Sequence, residues 1–331
     1  MSPTASLMRS SSPVDERAFH AWLVRHLPAA RDRWLPLGDD VAAVPLGKGR
    51  VALLTTDALS EGTHFLRRSP PDAVGRAVAA ASLSDIAAKG GTPSALLVDL
   101  LVAPGTPARW CEEVVGGAEA MARRFGAHVV GGDTKPGAGR SVVGTMLGFG
   151  RVGHLPARRN ARVGDVVLVT GVVGEGGLAG AALRSGRPSV RALRRLLEIH
   201  PRVDEGQRLV DVANAMTDTS DGLAEGARLI ASASGLRVVL READLPWASA
   251  LRRRPATERR AIGFYGGDYE LLATVPARHV ARALRSVAGT GTRLTVVGRV
   301  ERGRGAVLEV DGAVRRPLEA PGWDPFRVRP P

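Results

Sequence analysis

Six aspartates in small-residue settings are spread over the first two-thirds of the chain. They are Asp40 after Gly38-Asp39, Asp57 after Thr55-Thr56, Asp85 in Ser84-Asp85-Ile86-Ala87-Ala88, Asp133 after Gly131-Gly132, and Asp218 with Asp221 in Asp218-Thr219-Ser220-Asp221-Gly222. Hard divalent cations take oxygen ligands, and Mg²⁺ is commonly held by a few carboxylates together with substrate phosphates. Carboxylates delivered at strand ends are therefore the raw material of a phosphate-handling site. No other residues in the sequence carry a comparable chemical signature.

The elements that must position them follow from periodicity and from Gly and Pro punctuation. Phe19, Trp22, Leu23 and His26-Leu27 recur at helical spacing and predict a helix over 14–27. Val51 to Leu54 predicts a short buried strand leading into Thr55-Thr56-Asp57. A helix from Pro71-Asp72 through Val74, Val78, Ala81 and Ile86 should stop at Gly90-Gly91, which puts Asp85 near its C-terminal end. Strands are expected at 95–102, 129–130 and 142–149, with a helix over 107–125 between the first two. A Gly/Pro-marked linker at 151–156 follows, then a strand at 166–169, a glycine-rich turn at 171–177 and a helix at 178–184. Thr217 to Asp221 should precede a helix ending at Gly235, with a strand at 238–240 after it. The second half thus repeats the strand-to-aspartate-to-helix order of the first, which leaves an internal duplication open.

Composition narrows the class. The 331 residues, 44% hydrophobic and with 40 glycines, suit two packed domains of mixed α/β type. The single cysteine, Cys111, can form no internal disulfide and argues against a zinc or iron-sulfur centre, so a reducing, cytoplasmic setting is expected. No apolar run reaches the roughly 18 residues of a membrane span. The Ser-rich start lacks the charged end and apolar core of a signal peptide and is expected to be a loose tail. A formal net charge of +13 invites a nucleic-acid reading, but Lys48, Lys89 and Lys135 are the only lysines among 46 basic residues. The arginine clusters have no interleaved aromatics, so they are expected on solvated faces.

Two phosphate-binding motifs can be weighed directly. Gly174-Glu175-Gly176-Gly177 imitates a dinucleotide fingerprint, but the glycine spacing is wrong and no acidic residue closes the next strand. No Walker lysine motif exists, so any ATP must be held by metal and backbone amides.

Seven motifs then carry a resemblance. Gly38-Asp39-Asp40-Val41-Ala42-Ala43-Val44, Thr55-Thr56-Asp57 through His64-Phe65, Ser84-Asp85-Ile86-Ala87-Ala88, Gly131-Gly132-Asp133-Thr134, Asp218-Thr219-Ser220-Asp221-Gly222-Leu223, Gly267-Asp268-Tyr269-Glu270-Leu271 and Gly322-Trp323-Asp324 stand in the order seen in thiamine-monophosphate kinases. The chain resembles that family along nearly its whole length.

The resemblance implies an α/β (α+β) aminoimidazole ribonucleotide synthase-like fold of two domains. A flexible tail (1–13) would precede an N-terminal domain with a mixed sheet and flanking helices (14–152), which binds ATP and Mg²⁺ and pairs into a homodimer. An α/β C-terminal domain (153–331) would follow. The implied activity is ATP-dependent phosphorylation of thiamine monophosphate to thiamine diphosphate. Because a substrate phosphate is already an anionic nucleophile, no general base is expected, and neutralising charge is the main task.

Carried over by motif, Asp40, Thr55, Thr56, Asp57, Asp85, Asp133, Asp218 and Asp221 would hold several Mg²⁺ ions, with room for K⁺. Gly132, Asp133, Arg158 and Ser220 would contact ATP. His64, Trp323 and Gly267 would face the acceptor. The partners implied are small molecules, with neither nucleic acid nor membrane among them. Taken singly, Ser220-Asp221-Gly222 is equally a helix cap, His64 a structural histidine and Trp323 a packed anchor.

The chain departs from the family at several points. Gly267 stands where the kinases carry a glutamate, Lys89 where they carry a methionine, and Lys135-Pro136-Gly137 where they carry Thr-Arg-Ser. None of these is expected to touch the metal set. They leave open a related ATP-dependent enzyme with another small acceptor, or a non-catalytic nucleotide-binding protein.

Overall fold

The computed structural model describes residues 16–27, 35–184, 194, 196–310, 312 and 314–318. The expected tail and Trp323 lie outside them. The first half contains α1 (Glu16–His26), β1 (Ala42–Gly47), β2 (Arg50–Ser60), α2 (Pro71–Ala88), β3 (Thr92–Val102), α3 (Ala108–Arg123), β4 (His128–Gly131), β5 (Thr134–Pro136) and β6 (Ser141–Arg151). The second contains β7 (Asp165–Thr170), α4 (Glu175–Arg184), α5 (Val203–Leu209), β8 (Ala215–Asp218), α6 (Leu223–Ser234), β9 (Arg237–Arg241), α7 (Ala256–Gly263), β10 (Leu271–Pro276), α8 (Val280–Ala288), β11 (Leu294–Glu301), β12 (Gly305–Val310) and β13 (Val314–Pro317).

Two mixed sheets result. The first runs β1-β2-β6-β3-β4, with β5 also on β3, and the second runs β13-β12-β9-β11-β7-β10-β8. β2 is longer than the expected strand because it pairs with β6 residue for residue, from Arg50 opposite Arg151 to Ser60 opposite Ser141. Thr55, Thr56 and Asp57 therefore sit inside the strand rather than after it. Asp218 does end its strand and is followed by a helix. The strand-to-aspartate-to-helix order thus holds in the second half only.

α2 is the element that positions the site. Pro71 opens it, at a place where a missing amide proton costs nothing, and Gly90 beyond its end takes a left-handed φ of 59°. Val74, Ala77, Val78, Ala80, Leu83 and Ile86 are all fully buried, so the helix runs through the interior, with Asp72 and Arg76 in its first turns partly exposed. It packs on β2 and β6 of the first sheet, on α3 beside it, and on β8 and α5 of the second half. One hydrophobic cluster accordingly runs from Leu53 and Ile86 to Leu209 and Met216.

Candidate active site

Strand alternation decides which residues of Thr55-Thr56-Asp57 can meet α2. Successive side chains point to opposite faces. Thr55 and Asp57 share the face toward α2, where the Thr55 hydroxyl donates to Asp85 and Ser82 Oγ donates to Asp57 Oδ2 at 3.0 Å. Thr56 faces the other way and meets Thr145 Oγ1 at 3.1 Å. The pleat thus separates the two threonines: Thr55 turns toward α2, while Thr56 lines the cleft that also exposes Asp57, Asp85 and Asp218.

The same turn of α2 reaches the second half of the chain. Ser84 Oγ donates to Asp218 Oδ2 at 2.8 Å, and Ser220 Oγ donates to Asp218 Oδ1 at 2.9 Å. Asp40 arrives from the segment before β1. Asp40, Asp85 and Asp218 each offer an oxygen within 4.8 Å of the others, a spacing at which two unit charges repel by roughly 3 kcal/mol at an effective dielectric near 20.

Burial first, and mutual repulsion second, oppose ionisation of these groups. Burial, then repulsion from Asp57, Asp218 and Asp40, pushes the Asp85 carboxyl well above the usual range. Burial and Asp40 raise Asp218 against the Ser84 and Ser220 hydroxyls. Burial, with a contribution from Asp218, raises Asp57 to about 6 although Ser82 opposes it. Added positive charge would draw these carboxyls back toward the ionised form. The donors are all oxygen, and three carboxylates from both halves of the chain converge within 4.8 Å. The set therefore fits a hard divalent cation.

Asp40 differs in its surroundings. Its side chain is 1% exposed and touches two cations: Arg158 Nη2 lies 2.8 Å from Oδ1, and Lys89 Nζ lies 2.7 Å from Oδ2. Burial pushes its carboxyl up, but Arg158 and Lys89 outweigh this and hold it well below the usual carboxylate range. Lys89 is 0% exposed and also lies 2.7 Å from Asp39 Oδ1. It donates as well to the carbonyls of Met216 at 2.7 Å and Pro156 at 3.3 Å. Lys89 thus does touch the aspartate set, contrary to expectation. Its long stem reaches inward from the end of α2, which no local pattern reveals.

A cleft of about 1750 Å³ opens on these groups and is lined by Asp57, His64, Asp85, Ser220, Asp221 and Tyr269, among others. His64 is half-buried, and burial lowers its pKa. Ser60 N donates to its Nδ1 at 3.2 Å, so the neutral ring carries its proton on Nε2. Arg158 lines the cleft, but its guanidinium donates inward to Gly38 O, Asp40 and Thr217 Oγ1. Gly222 caps α6 with φ 100°, so Ser220 lies outside that helix and its hydroxyl serves Asp218.

Gly132 and Asp133 stand apart. Asp133 is exposed, its side chain 57% so, with its Oδ1 taken by Lys135 Nζ at 3.0 Å. From β2 through β6 and β3 to β5 is three strand spacings, about 14 Å. Within one chain the structure does not bring Asp133 to the other carboxylates.

The second half also resolves the false fingerprint. α4 begins at Glu175, three residues earlier than expected, and Gly174 N and Gly176 N both donate to Asp268 at 2.8 Å. An internal carboxylate therefore occupies the helix N-terminus where a dinucleotide phosphate would sit. Gly176 packs back to back with Gly267, since a Cβ on Gly176 would lie 2.2 Å from the Gly267 carbonyl carbon. Tyr269 beside them has φ 54°, rare for a side-chain-bearing residue, and burial and the aspartates of the cleft raise its phenol pKa well above the ordinary value. Sequence reasoning assigned no role to Tyr269, Asp39, Ser82 or Ser84; their motif neighbours were the only available signal.

Comparison with known proteins finds relatives over most of the chain. The AIR synthase related protein N-terminal domain matches residues 38–152 and the corresponding C-terminal domain residues 162–311. Thiamine-monophosphate kinase of Archaeoglobus fulgidus is 33% identical over 88% of this chain and 91% of its own, and that of Halobacterium salinarum is 37% identical over 86% and 93%. A solved structure described as AaThiL complexed with AMPPCP and TMP superposes with TM-score 0.80 at 27% identity, covering 95% of this chain and 99% of that one. Thiamine-monophosphate kinase from Stenotrophomonas maltophilia K279a superposes at 0.74 with 30% identity, over 86% and 92%.

Proposed function

The chain belongs to the thiamine-monophosphate kinase family, and from that premise we propose that it transfers the γ-phosphoryl group of ATP to the phosphate of thiamine monophosphate, giving thiamine diphosphate. The observation that carries the reading is the meeting of Asp57, Asp85 and Asp218, drawn from both halves of the chain, at one cleft. A relative holding AMPPCP, an ATP analogue, together with TMP supports the same pair of substrates.

Mg²⁺ is our assignment for the cation, with K⁺ a further candidate; when bound, Mg²⁺ neutralises phosphate charge and clamps oxygens of both substrates. Asp57, Asp85, Asp218 and Asp221 would hold it, with Asp40 behind them. Thr55, Ser82, Ser84 and Ser220 donate hydroxyls that fix which carboxylate oxygens face the cleft. No side chain need remove a proton, because the acceptor phosphate is already ionised. Neutral His64 would donate Nε2–H to that phosphate, Ser220 and Arg158 would lie toward ATP, and Gly267 and Trp323 toward the thiamine portion.

Gly132 and Asp133 would act on the nucleotide from a second copy of the chain. Leu54, Leu97 and Leu101 are exposed on the face of the first sheet turned away from α2, which supports pairing of two chains there. Light scattering should report a dimer, and Leu97→Glu a monomer; a wild-type monomer would remove this role for Asp133. The domain boundary at 152/153 and a cytoplasmic setting belong to the same reading. No described helix is long and apolar enough to cross a membrane.

Incubation with ATP, Mg²⁺ and thiamine monophosphate, followed by chromatography, tests the assignment. Thiamine diphosphate is expected in proportion to ADP. Gly267, which leaves the cleft without the family's glutamate, favours a second reading in which another small phosphorylated acceptor is used. ADP formation with such an acceptor and none with thiamine monophosphate would select it.

A further inference from the structure

Lys89 is a fully buried ammonium surrounded by oxygen. Two carboxylates, Asp39 Oδ1 and Asp40 Oδ2, each lie 2.7 Å from Nζ, and the carbonyls of Met216 and Pro156 lie at 2.7 and 3.3 Å. Such a donor set, two carboxylates and two main-chain carbonyls converging on one point, is what a bound cation would be given. It draws on four parts of the chain: the segment before β1, the end of α2, the linker after β6, and β8. With Arg158 on the opposite side of Asp40, two cations face two carboxylates and the group closes without outside charge. Asp57, Asp85 and Asp218 make no salt bridge among the described residues, though the more distant Arg158 partly offsets Asp218.

We propose that the Lys89 ammonium is a built-in cation: it occupies a cation site formed by Asp39, Asp40 and the two carbonyls, and positions Asp40 against the carboxylates that bind exchangeable metal. Lys89 is thus a positioning residue acting through Asp40, and it lowers the number of metal ions the chain must recruit. The inference rests on the reading of the aspartates as a metal site, and its test separates the two.

Mn²⁺ bound per chain would be counted by equilibrium dialysis for wild type and for Lys89→Met, whose side chain fills similar space without charge. The variant should bind one more ion than wild type, and its melting temperature should rise more steeply with divalent cation. Equal stoichiometry and equal metal response would overturn the inference. Absence of Mn²⁺ binding by wild type would instead overturn the metal-site reading itself. Should Lys89→Met fail to fold without metal, Lys89→Met with Asp39→Asn removes one anion along with the cation. That double variant should fold without added metal; if it is as unstable as the single variant, Lys89 serves shape rather than charge, and the inference fails.

Discussion

Two groups of carboxylates lie within a few ångströms of each other and are built on opposite terms. Asp39 and Asp40 are matched by Lys89 and Arg158, so that corner is electrically complete as folded. Asp57, Asp85 and Asp218 accept hydrogen bonds from the neutral hydroxyls of Thr55, Ser82, Ser84 and Ser220 and make no salt bridge among the described residues; Arg158 acts on Asp218 only from a distance, so their repulsion is left uncompensated. The lesson is that an acidic motif does not by itself reveal a metal ligand. What distinguishes the groups is the side chain that folding brings alongside: a hydroxyl orients a carboxylate without discharging it, whereas an ammonium or guanidinium satisfies it.

The comparison breaks most readily through turnover. Asp57→Asn and Asp218→Asn should each reduce turnover by about 10³-fold or more, since each removes charge where phosphate is neutralised. Their melting temperatures in metal-free buffer should hold or rise because repulsion is relieved. Turnover within tenfold of wild type would show that these carboxylates are not the working set.

Asp40→Asn should do the reverse and act on the fold first. It leaves Lys89 and Arg158 undercompensated in the interior, a loss of about 3–5 kcal/mol. Denaturant unfolding should register this equally with and without Mg²⁺. An unchanged midpoint would mean that the matched corner is not structural.

Titration sharpens the contrast, because the two groups push stability in opposite directions. The raised pKa of Asp57 means that the native metal-free protein binds more protons than the unfolded chain between 3.8 and about 6. Its stability contribution therefore declines as pH rises through about 6, and saturating Mg²⁺ should flatten that slope. Asp40, with a depressed pKa, contributes stability that is full above its unfolded value and lost as pH falls below it. Unfolding measured from about pH 2 to pH 8 should show both limbs, that of Asp40 below its unfolded value of 3.8 and that of Asp57 between 3.8 and about 6. A slope that persists in Asp57→Asn would assign the upper limb elsewhere.

The smallest effect is expected where neither group is touched. Gly267 has φ 82°, so Gly267→Ala should cost on the order of 1 kcal/mol through backbone strain and leave ATP affinity unchanged. A loss of several kcal/mol would mean that its packing against Gly176 matters more than its conformation.

Much of this was legible beforehand. Asp57, Asp85 and Asp218 stood out because short acidic motifs among small residues mark close-packed polar sites, and the end of α2 was set by Gly90-Gly91. Thr55 and Thr56 could not be told apart in the sequence, because the strand extends through both and only pairing with β6 reveals which face each takes. Asp133 could not be placed because the carboxylates of the cleft lie strands away from it, while the one beside it is Asp99, whose Oδ1 accepts from Asp133 N at 2.7 Å. Lys89 was read as a bystander: burial of a lysine is decided by the second half of the chain closing over it. Its rarity is no guide, since Lys48 and Lys135 are lysines too and lie on the surface.

Because a single turn of α2 supplies Ser82 to the first sheet's aspartate and Ser84 to the second's, neither half of the chain can assemble the site alone. Cutting between residues 152 and 162 would leave one fragment with Asp57 and Asp85, the other with Asp218, and no helix surface joining them. Assembly of the reactive cleft is therefore a late event that reports correct docking of the whole molecule. Mixing the two fragments and watching divalent-ion affinity return would be a direct assay of that docking.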